Sequence, residues 1–411
     1  MINRRQPLFS LLLLMLLDHL SLTITFPILT LLFFDQHTRL FTIDASAEAR
    51  HLWYGYCLAI PHLINVMLTP ILSAMSDAFG RKKILLLATF GAFLFAMVAA
   101  LGVVWGSLSL LLAAYVLKGM FSRTNPISQA VIGDTSPIEK KVLHMGYLQA
   151  SISIGAFLGP MLGGYLAYCF FTELNFATPY LVAAFFAAMS WLVTFCFFPE
   201  TLIERHVRSP WQEMHWQNIN ALFRKPKVRY ISAILLLSQL SWSLYYQFIP
   251  PILKEVCHFT GSELGMFIGF IAGWLALATL FGIKWLDQWF DLRQMLMISL
   301  YLVMLGLLIT LFFCARYRSG ETTILLWIAA IPISVGDVIA FSCVATLYSN
   351  VVIRQDQGKI MGICFIVIGL IWAITSILGG IFMSTNVLLP LIAAPFGVFF
   401  GIVLLSLQRV L

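Results

Sequence analysis

The chain has 411 residues, of which 60% are hydrophobic and only 10% are charged, and its mean hydropathy is +0.92. A soluble domain carries about 25% charged residues, so this composition excludes a water-soluble protein and indicates an integral membrane protein. Lys and Arg outnumber Asp and Glu by 25 to 18, an excess that membrane topology explains better than a nucleic-acid partner does.

The apolar runs are long and continuous, whereas a transmembrane barrel alternates polar and apolar residues in segments of about 10 residues. A helix needs about 20 apolar residues to cross a bilayer. We therefore predict an all-α integral membrane protein with twelve transmembrane helices. In chain order, these spans cover approximately residues 8–34, 52–75, 84–104, 108–133, 142–168, 178–198, 230–252, 264–285, 294–315, 322–348, 359–383 and 387–407.

The longest loop lies at the midpoint and divides the spans into six and six. It holds Trp211 and Trp216 among polar residues, a pattern that favours an amphipathic helix at the membrane surface. We predict an N-terminal six-helix bundle over 1–198, a cytoplasmic linker over 199–229 and a C-terminal six-helix bundle over 230–411. With both termini in the cytoplasm, most Lys and Arg residues fall in cytoplasmic loops, as is typical of membrane proteins.

Span 1 carries two titratable residues near its middle, Asp18 and His19. Ionisable side chains are costly inside a membrane and are therefore functional candidates by default. We predict that both take part in proton coupling, because an acid and an imidazole can each exchange a proton. Adjacent helical residues point about 100° apart, so His19 can also face the opposite side of the helix from Asp18.

The loop between spans 2 and 3 combines an acid, a glycine and two cations in the order Asp77-x-x-Gly80-Arg81-Lys82. Gly80 permits a tight turn, and Asp77 can pair with Arg81 or meet the end of a helix dipole. The pattern resembles the signature loop of the major facilitator superfamily of secondary transporters, which implies a cytoplasmic latch. A loop that only sets topology is the simpler alternative. Asp287, after span 8, belongs to a weaker copy of the loop, as two similar halves would require.

Span 4 contains Lys118 and Arg123, and Asn125 follows closely. We predict that these three residues bind substrate. Arg123 is expected at the depth of Asp18, where the two would form either a structural ion pair or a pair that opens when Asp18 takes up a proton. A basic centre of this kind favours an anionic or zwitterionic substrate.

Span 5 contains the sequence Gly-x-x-x-Gly-Pro-x-x-Gly-Gly, formed by Gly155, Gly159, Pro160, Gly163 and Gly164. Glycines four apart share one helix face and permit close packing, and the proline favours a bend. The pattern resembles the antiporter motif of the superfamily's twelve-span drug–proton exporters, the tetracycline and multidrug exporters. This resemblance implies export, whereas a generic packing face is the alternative.

Spans 7 and 10 carry the remaining candidates. Gln239, Trp242 and Tyr246 of span 7 share one helix face, and Tyr245 lies beside them. Such a face suits an amphipathic organic ligand, so we predict that these four residues bind substrate. Asp337 lies near the middle of span 10 and is a third candidate for proton coupling. Binding of a cationic substrate is the alternative role for this acid.

The resemblance covers essentially the whole chain, and it implies one substrate cavity between two halves that work by alternating access. We predict a monomeric, proton-coupled transporter in the lipid of the inner (plasma) membrane that exports small organic molecules. In such exporters, glycines follow the arginine of span 4, whereas Thr124-Asn125-Pro126 follows Arg123 here. This departure leaves open the alternative of a proton-coupled importer of an anionic or zwitterionic nutrient or siderophore.

The sequence contains no motif for catalysis or for a metal site. The seven cysteines form no Cys-x-x-Cys pair, and there is neither a His-x-x-x-His pair nor a Gly-Lys-Ser/Thr loop. We therefore expect neither an enzyme nor an ATP-driven pump, and we expect no cofactor and no metal ion.

Overall fold

A computed structural model describes residues 6–35, 38–41, 45–121, 124–137, 140–168, 176–202, 225–316, 321–351 and 357–407. Throughout these residues the chain is helical with short connections, and none of them forms a β-strand. The predicted all-α fold class is therefore confirmed. The surface helix predicted within 199–229 falls mainly on residues 203–224, which lie outside the described part of the chain.

Every predicted span contains a helix. Span 4 is described as two helices on either side of residues 122–123, and span 8 is interrupted by a π-helical turn over Ala278–Gly282. In the order of the spans, the helices are Gln6–Phe34, Ala47–Phe79, Arg81–Val104, Leu108–Phe121 with Thr124–Thr135, Lys141–Leu166, Thr178–Phe197, Pro226–Val256, Gly261–Leu277 with Ile283–Leu286, Leu292–Ala315, Glu321–Val351, Gln357–Thr385 and Leu389–Leu407.

The lengths and compositions of these helices fit a bilayer. Within the described residues, eight helices are long and apolar enough to cross a membrane by those criteria alone, in spans 1, 3, 6, 8, 9, 10, 11 and 12. The helices of spans 2, 5 and 7 are also long, with 33, 26 and 31 residues, but they are more polar. Most of span 7 is buried, so its polar side chains face protein rather than lipid.

The described chain packs into two compact units. The first contains Met1–Asp44, Leu63–Met214 and Thr260–Gly269, and the second contains Ala45–His62, His215–Phe259 and Phe270–Leu411. The units follow packing, so the first parts of spans 2 and 8 are grouped with helices from the other half of the sequence. The predicted division into 1–198, 199–229 and 230–411 stays a prediction.

In the first unit, span 1 is the central helix. It packs against spans 5 and 6, while span 3 packs against spans 4 and 6. The buried core includes Leu14 and Met15 of span 1, Leu85 of span 3, Val131 of span 4 and Leu148 of span 5. This arrangement places the middle of span 1, with its titratable residues, among four other helices.

In the second unit, span 7 has the corresponding central position. It packs against spans 10, 11 and 12, and span 9 packs against spans 10 and 12. The first part of span 2 also belongs here: Tyr54 donates a hydrogen bond from its hydroxyl to the carbonyl oxygen of Gln247 at 3.0 Å. Gly55 of span 2 lies directly against Gly380 of span 11.

Candidate functional site

Asp18, His19, Lys118 and Thr124, called the Asp18 cluster below, lie where span 1 meets span 4. Only 1% of the surface of Asp18 is exposed. Thr124 Oγ1 donates to Asp18 Oδ2 at 2.6 Å, and His19 Nδ1 lies 3.9 Å from the same oxygen. His19 Nδ1 is also 3.1 Å from the carbonyl oxygen of Met15, which can only accept, so this ring nitrogen carries a proton.

Lys118 and Asp18 line the same small cavity, together with Thr124 and with apolar side chains of spans 1 and 3. The ammonium nitrogen of Lys118 lies over two aromatic rings, 5.2 Å from the centroid of Phe95 and 5.4 Å from that of Tyr115. Cation–π contacts of this kind stabilise a charged amine by about 0.5–2 kcal/mol, and the rings cannot accept the proton of that amine. A carboxylate and an ammonium group thus face one cavity in the first unit.

The pair predicted between Asp18 and Arg123 stays a prediction, because Arg123 lies outside the described residues. The next residue, Thr124, is the one that hydrogen-bonds to Asp18. Asn125 accepts a hydrogen bond from Gln129 Nε2 at 3.0 Å and does not line the Asp18 cavity. Its contact with substrate therefore stays a prediction.

The glycine motif of span 5 brings two helix backbones into contact beside the Asp18 cluster. A methyl group added at Gly155 would lie 2.8 Å from His19 Cβ, and one added at Gly159 would lie 3.0 Å from Thr23 Cβ. Both distances are well below the 3.5–4.0 Å of normal carbon contacts. The hydroxyl of Thr23 also lies 3.0 Å from the carbonyl oxygen of Gly155. Only glycine fits this face without moving span 1.

The same motif packs against a second helix through its other face. A methyl group at Gly164 would contact the carbonyl oxygen of Gly261 and would lie 3.0 Å from Gly265 Cα. A methyl group at Gly265 would contact the carbonyl oxygen of Pro160. Span 5 is therefore held between span 1 and the first part of span 8, which explains why small residues occupy both faces.

Asp337, Gln239, Trp242, Tyr246 and Trp372, called the Asp337 cluster below, lie together in the second unit. Gln239 Nε2 donates to Asp337 Oδ1 at 3.3 Å, and Trp372 Nε1 donates to Gln239 Oε1 at 3.2 Å. Asp337 and Gln239 are buried, with 8% and 5% of their surfaces exposed. Spans 7, 10 and 11 thus meet through one chain of hydrogen bonds.

An aromatic surface adjoins this hydrogen-bond chain. The rings of Trp242 and Tyr246 stack at 5.2 Å with an angle of 24° between their planes, and Tyr246 lies 6.1 Å from Trp372. The predicted shared face of Gln239, Trp242 and Tyr246 is thus present in the structure. Tyr245 is different: only 1% of it is exposed, and it lies near Cys314 of span 9, so it packs in the core.

The loop between spans 2 and 3 is organised around a carboxylate that arrives from span 6. Glu200 accepts from the backbone N–H of Arg81 at 2.9 Å and from that of Lys82 at 3.3 Å. A negative charge at a helix N-terminus satisfies free N–H groups and complements the helix dipole. Gly80 has φ 110°, and a side chain there would collide with the Glu200 carboxylate.

Arg81 itself points to span 4. Its Nε donates to Asp134 Oδ2 at 3.0 Å, and its Nη1 donates to Ser76 Oγ at 2.9 Å. The side chain of Asp77 lies outside the described part of the structure, so the predicted latch stays a prediction. The structure shows that Arg81 ties the start of span 3 to the end of span 4 within one unit.

The weaker copy of this loop also begins a helix with a carboxylate. Asp291 Oδ1 accepts from Gln294 N at 2.8 Å, and Gln294 Oε1 accepts from Asp291 N at 3.1 Å, a capping box at the start of span 9. At the start of span 3 the carboxylate belongs to Glu200, which follows span 6. At the start of span 9 it belongs to Asp291, the residue directly before that helix. Asp287, which is predicted to be the equivalent of Asp77 in the weaker copy of the loop, is exposed.

A comparison with known protein families identifies the chain. The family model of the Major Facilitator Superfamily matches residues 11–376, which is most of the sequence. The chain belongs to the Major Facilitator Superfamily. Membership accounts for the twelve helical spans and for the apolar, multi-pass character of the chain.

Relatives within the superfamily have names that refer to drug resistance. The chain is 31% identical to the tetracycline resistance protein, class B, of Escherichia coli over 187 residues, which are 45% of this chain and 42% of that protein. It is 25% identical to multidrug resistance protein 1 of Bacillus subtilis over 363 residues, 85% of each protein. The chain thus matches less than half of the length of the class B protein.

Solved structures of the superfamily share the fold. A D-xylose–proton symporter has a TM-score of 0.75 at 14% identity, with 98% of this chain and 97% of that one covered. The human organic anion transporter MFSD10 has a TM-score of 0.69 at 18% identity, with 98% and 100% covered. At these identities the likeness concerns the fold alone.

Several residues at these contacts are not predicted from the sequence. Trp372 could have been found, because a tryptophan N–H in an apolar span needs an acceptor. Glu200 stands directly after span 6, as an acid beside a basic loop. The glycines of span 8, Gly261 and Gly265, are four apart, a signal that is common in membrane helices and therefore weak. Among the described residues, no three His, Cys, Asp or Glu side chains are grouped as a metal site requires.

Proposed function

We propose that this transporter couples proton movement to the export of small organic molecules across the inner (plasma) membrane by alternating access. The observation that carries the proposal is the Asp18 cluster, in which a buried carboxylate and a lysine face the same cavity. A charge held away from water is costly, and an acid can relieve that cost by taking up a proton. Asp18 is therefore the first candidate for the proton carrier, with His19 beside it.

Proton uptake at Asp18 would change how span 1 contacts span 4. The ionised carboxylate accepts the hydrogen bond from Thr124 and attracts the ammonium group of Lys118 across the cavity. The neutral acid loses that attraction and keeps only a weaker hydrogen bond. Because the backbone of span 1 touches Gly155 of span 5, a movement of span 1 would act directly on the glycine motif.

Two features support export over import. The relatives named above carry resistance to tetracycline or to multiple drugs in their names, and a membrane transporter gives resistance most directly by moving the compound out of the cell. The glycine motif of span 5 has the spacing that resembles the antiporter motif. The monomeric state and the cytoplasmic position of both termini belong to the same proposal.

Everted membrane vesicles test the direction and the coupling together, because their outer face is the cytoplasmic one. We expect radiolabelled tetracycline or a lipophilic organic cation to accumulate in the lumen when the lumen is acid, and a protonophore to abolish the accumulation. Vesicles from cells without the protein give the background. Accumulation that requires the opposite gradient would show an importer instead, and accumulation that ignores every proton gradient would contradict proton coupling.

A further inference from the structure

The hydrogen bonds of the Asp337 cluster can run in only one direction. The indole N–H of Trp372 is a donor and has no acceptor, so it must face the carbonyl oxygen of the Gln239 amide. The amide nitrogen of Gln239 then faces Asp337 and must donate to it. The chain therefore begins at Trp372, passes through both ends of one amide and terminates on a carboxyl oxygen of Asp337.

The starting point of this chain is part of the aromatic surface. The ring of Trp372 lies 5.3 Å from the ring of His62 and 6.1 Å from that of Tyr246, which in turn stacks on Trp242. Flat organic molecules bind to such surfaces by stacking, and the geometry of the surface decides the strength of the contact. The orientation of Trp372 thus matters for any ligand held there.

We infer that Gln239 and Trp372 are positioning residues that transmit the charge of Asp337 to an aromatic binding surface for flat organic molecules. An ionised Asp337 accepts a charge-assisted hydrogen bond, which is about twice as strong as a neutral one, and bonds in a chain strengthen each other. Ionised Asp337 therefore fixes Gln239, and Gln239 fixes Trp372 against Tyr246. A proton on Asp337 weakens the first bond and releases Trp372.

This inference deepens the proposed function and rests on it for the identity of the ligand. It gives a physical reason for exchange: the proton and the organic molecule would favour opposite states of the same surface without touching the same atom. Linkage then requires that each lowers the affinity for the other by the same factor.

The charged side chains of the helices packed against span 10 lie towards the helix ends, away from Asp337. Among the side chains that the structure describes, they are Lys227, Arg229, Lys254 and Glu255 in span 7, Glu263 and Lys284 in span 8, and Arg293 in span 9. The titratable groups that face the cluster itself are Tyr245 and Tyr246 of span 7 and, through Trp372, His62 of span 2. His62 is the group that an experiment has to separate from Asp337.

The test uses the full chain labelled with 5-fluorotryptophan and reconstituted in lipid nanodiscs. Fluorine NMR spectra are recorded between pH 5 and 9, and the Trp372→Phe variant identifies the Trp372 signal among the 11 tryptophans. We expect the Trp372 signal to shift with pH in the unaltered protein. The shift should be lost in Asp337→Asn, which keeps the shape of the side chain, and in Gln239→Met, which keeps its length.

Two controls make the outcome decisive. Asp287→Asn removes an exposed acid and His62→Gln removes the neighbouring imidazole, and the shift should persist in both. A Trp372 signal that does not respond to pH, that still responds in Asp337→Asn, or that stops responding in His62→Gln would overturn the inference. The measurement needs no transport, so a failed vesicle experiment with an intact pH response would contradict only the proposed function.

Discussion

The bond from Thr124 to Asp18 is short and joins span 4 directly to the buried acid of span 1. The hydroxyl of Thr124 donates to Asp18 Oδ2 at 2.6 Å, and an ionised carboxylate accepts such a bond more strongly than a neutral acid does. The ammonium group of Lys118 faces the same cavity and is held over two aromatic rings, so it can act on Asp18 without forming a direct pair.

We predict that Asp18→Asn abolishes the response of transport to a proton gradient. The amide keeps an acceptor for Thr124 but cannot exchange a proton, so movement of substrate down its own gradient should remain. The measurement is the initial rate of uptake into everted vesicles with and without an acid lumen. Asp35→Asn is the matched control, since Asp35 is also a buried acid at span 1 and accepts from Tyr168 at 2.9 Å.

The control variant should keep the full response to the gradient. An Asp18→Asn protein that is still accelerated by an acid lumen would exclude Asp18 as the proton carrier and would direct attention to His19. The sequence identified both residues because charged groups are rare in spans. It did not identify Thr124, because a contact between two helices depends on their rotation about their axes, which hydrophobicity does not fix.

At the scale of the helix, span 5 is defined by what its glycines touch. One face lies against the backbone of span 1 and the other against the start of span 8. Gly146, at the other end of the same helix, has nothing within 4 Å of the position that a methyl group would take. The helix therefore contains both a crowded glycine and an open one, which allows a comparison with a single kind of substitution.

We predict that Gly159→Ala destabilises the protein by about 1–3 kcal/mol, because the added methyl group must displace Thr23 or the backbone at Ile24. Gly146→Ala should be neutral or stabilising by up to about 1 kcal/mol, because alanine favours a helix. Thermal unfolding of the two purified variants in one detergent measures the difference. Equal melting temperatures would show that the two helices can separate to admit the methyl group.

The helices themselves were largely predictable, and their ends were less so. Span 7 was predicted over 230–252 and covers Pro226–Val256. The difference arises because the charges of Lys227, Arg229 and Lys254 place these residues in loops when the sequence is taken alone. Charged side chains with long apolar stems can extend from a helix to the membrane surface, so charge alone does not end a helix.

At the scale of the molecule, the orientation of the chain in the membrane is open to a direct test. We predict that a cysteine at Glu48, in the first turn of the helix of span 2, reacts with a membrane-impermeant maleimide in intact cells. A cysteine at Lys140, between spans 4 and 5, should react only after the cells are made permeable. Both positions are exposed. Both cysteines are introduced into the Cys196→Ser background variant, because Cys196 is an exposed cysteine of the described chain and would itself react.

The background variant on its own sets the level of labelling that other cysteines contribute. Labelling of Lys140→Cys but not of Glu48→Cys in intact cells would show that the chain has the opposite orientation. The sequence could predict an orientation at all because positive loops are retained in the cytoplasm. Neither composition nor spacing could predict that the first part of span 2 packs in the second unit and the first part of span 8 in the first unit. This packing depends on which glycines of one sequence half contact glycines of the other half.

The π-helical turn in span 8 changes the direction in which the later side chains of that span point. The N–H of Ile283 bonds to the carbonyl oxygen of Ala278, five residues back instead of four, so this turn holds one additional residue. One residue corresponds to about 100° of rotation. Side chains from Ile283 to Asp287 are therefore turned by roughly a quarter circle from the direction that counting along Gly261 and Gly265 would give. An alignment of the two repeats must skip one position of span 8 before Asp287 and Asp77 can be compared as equivalents.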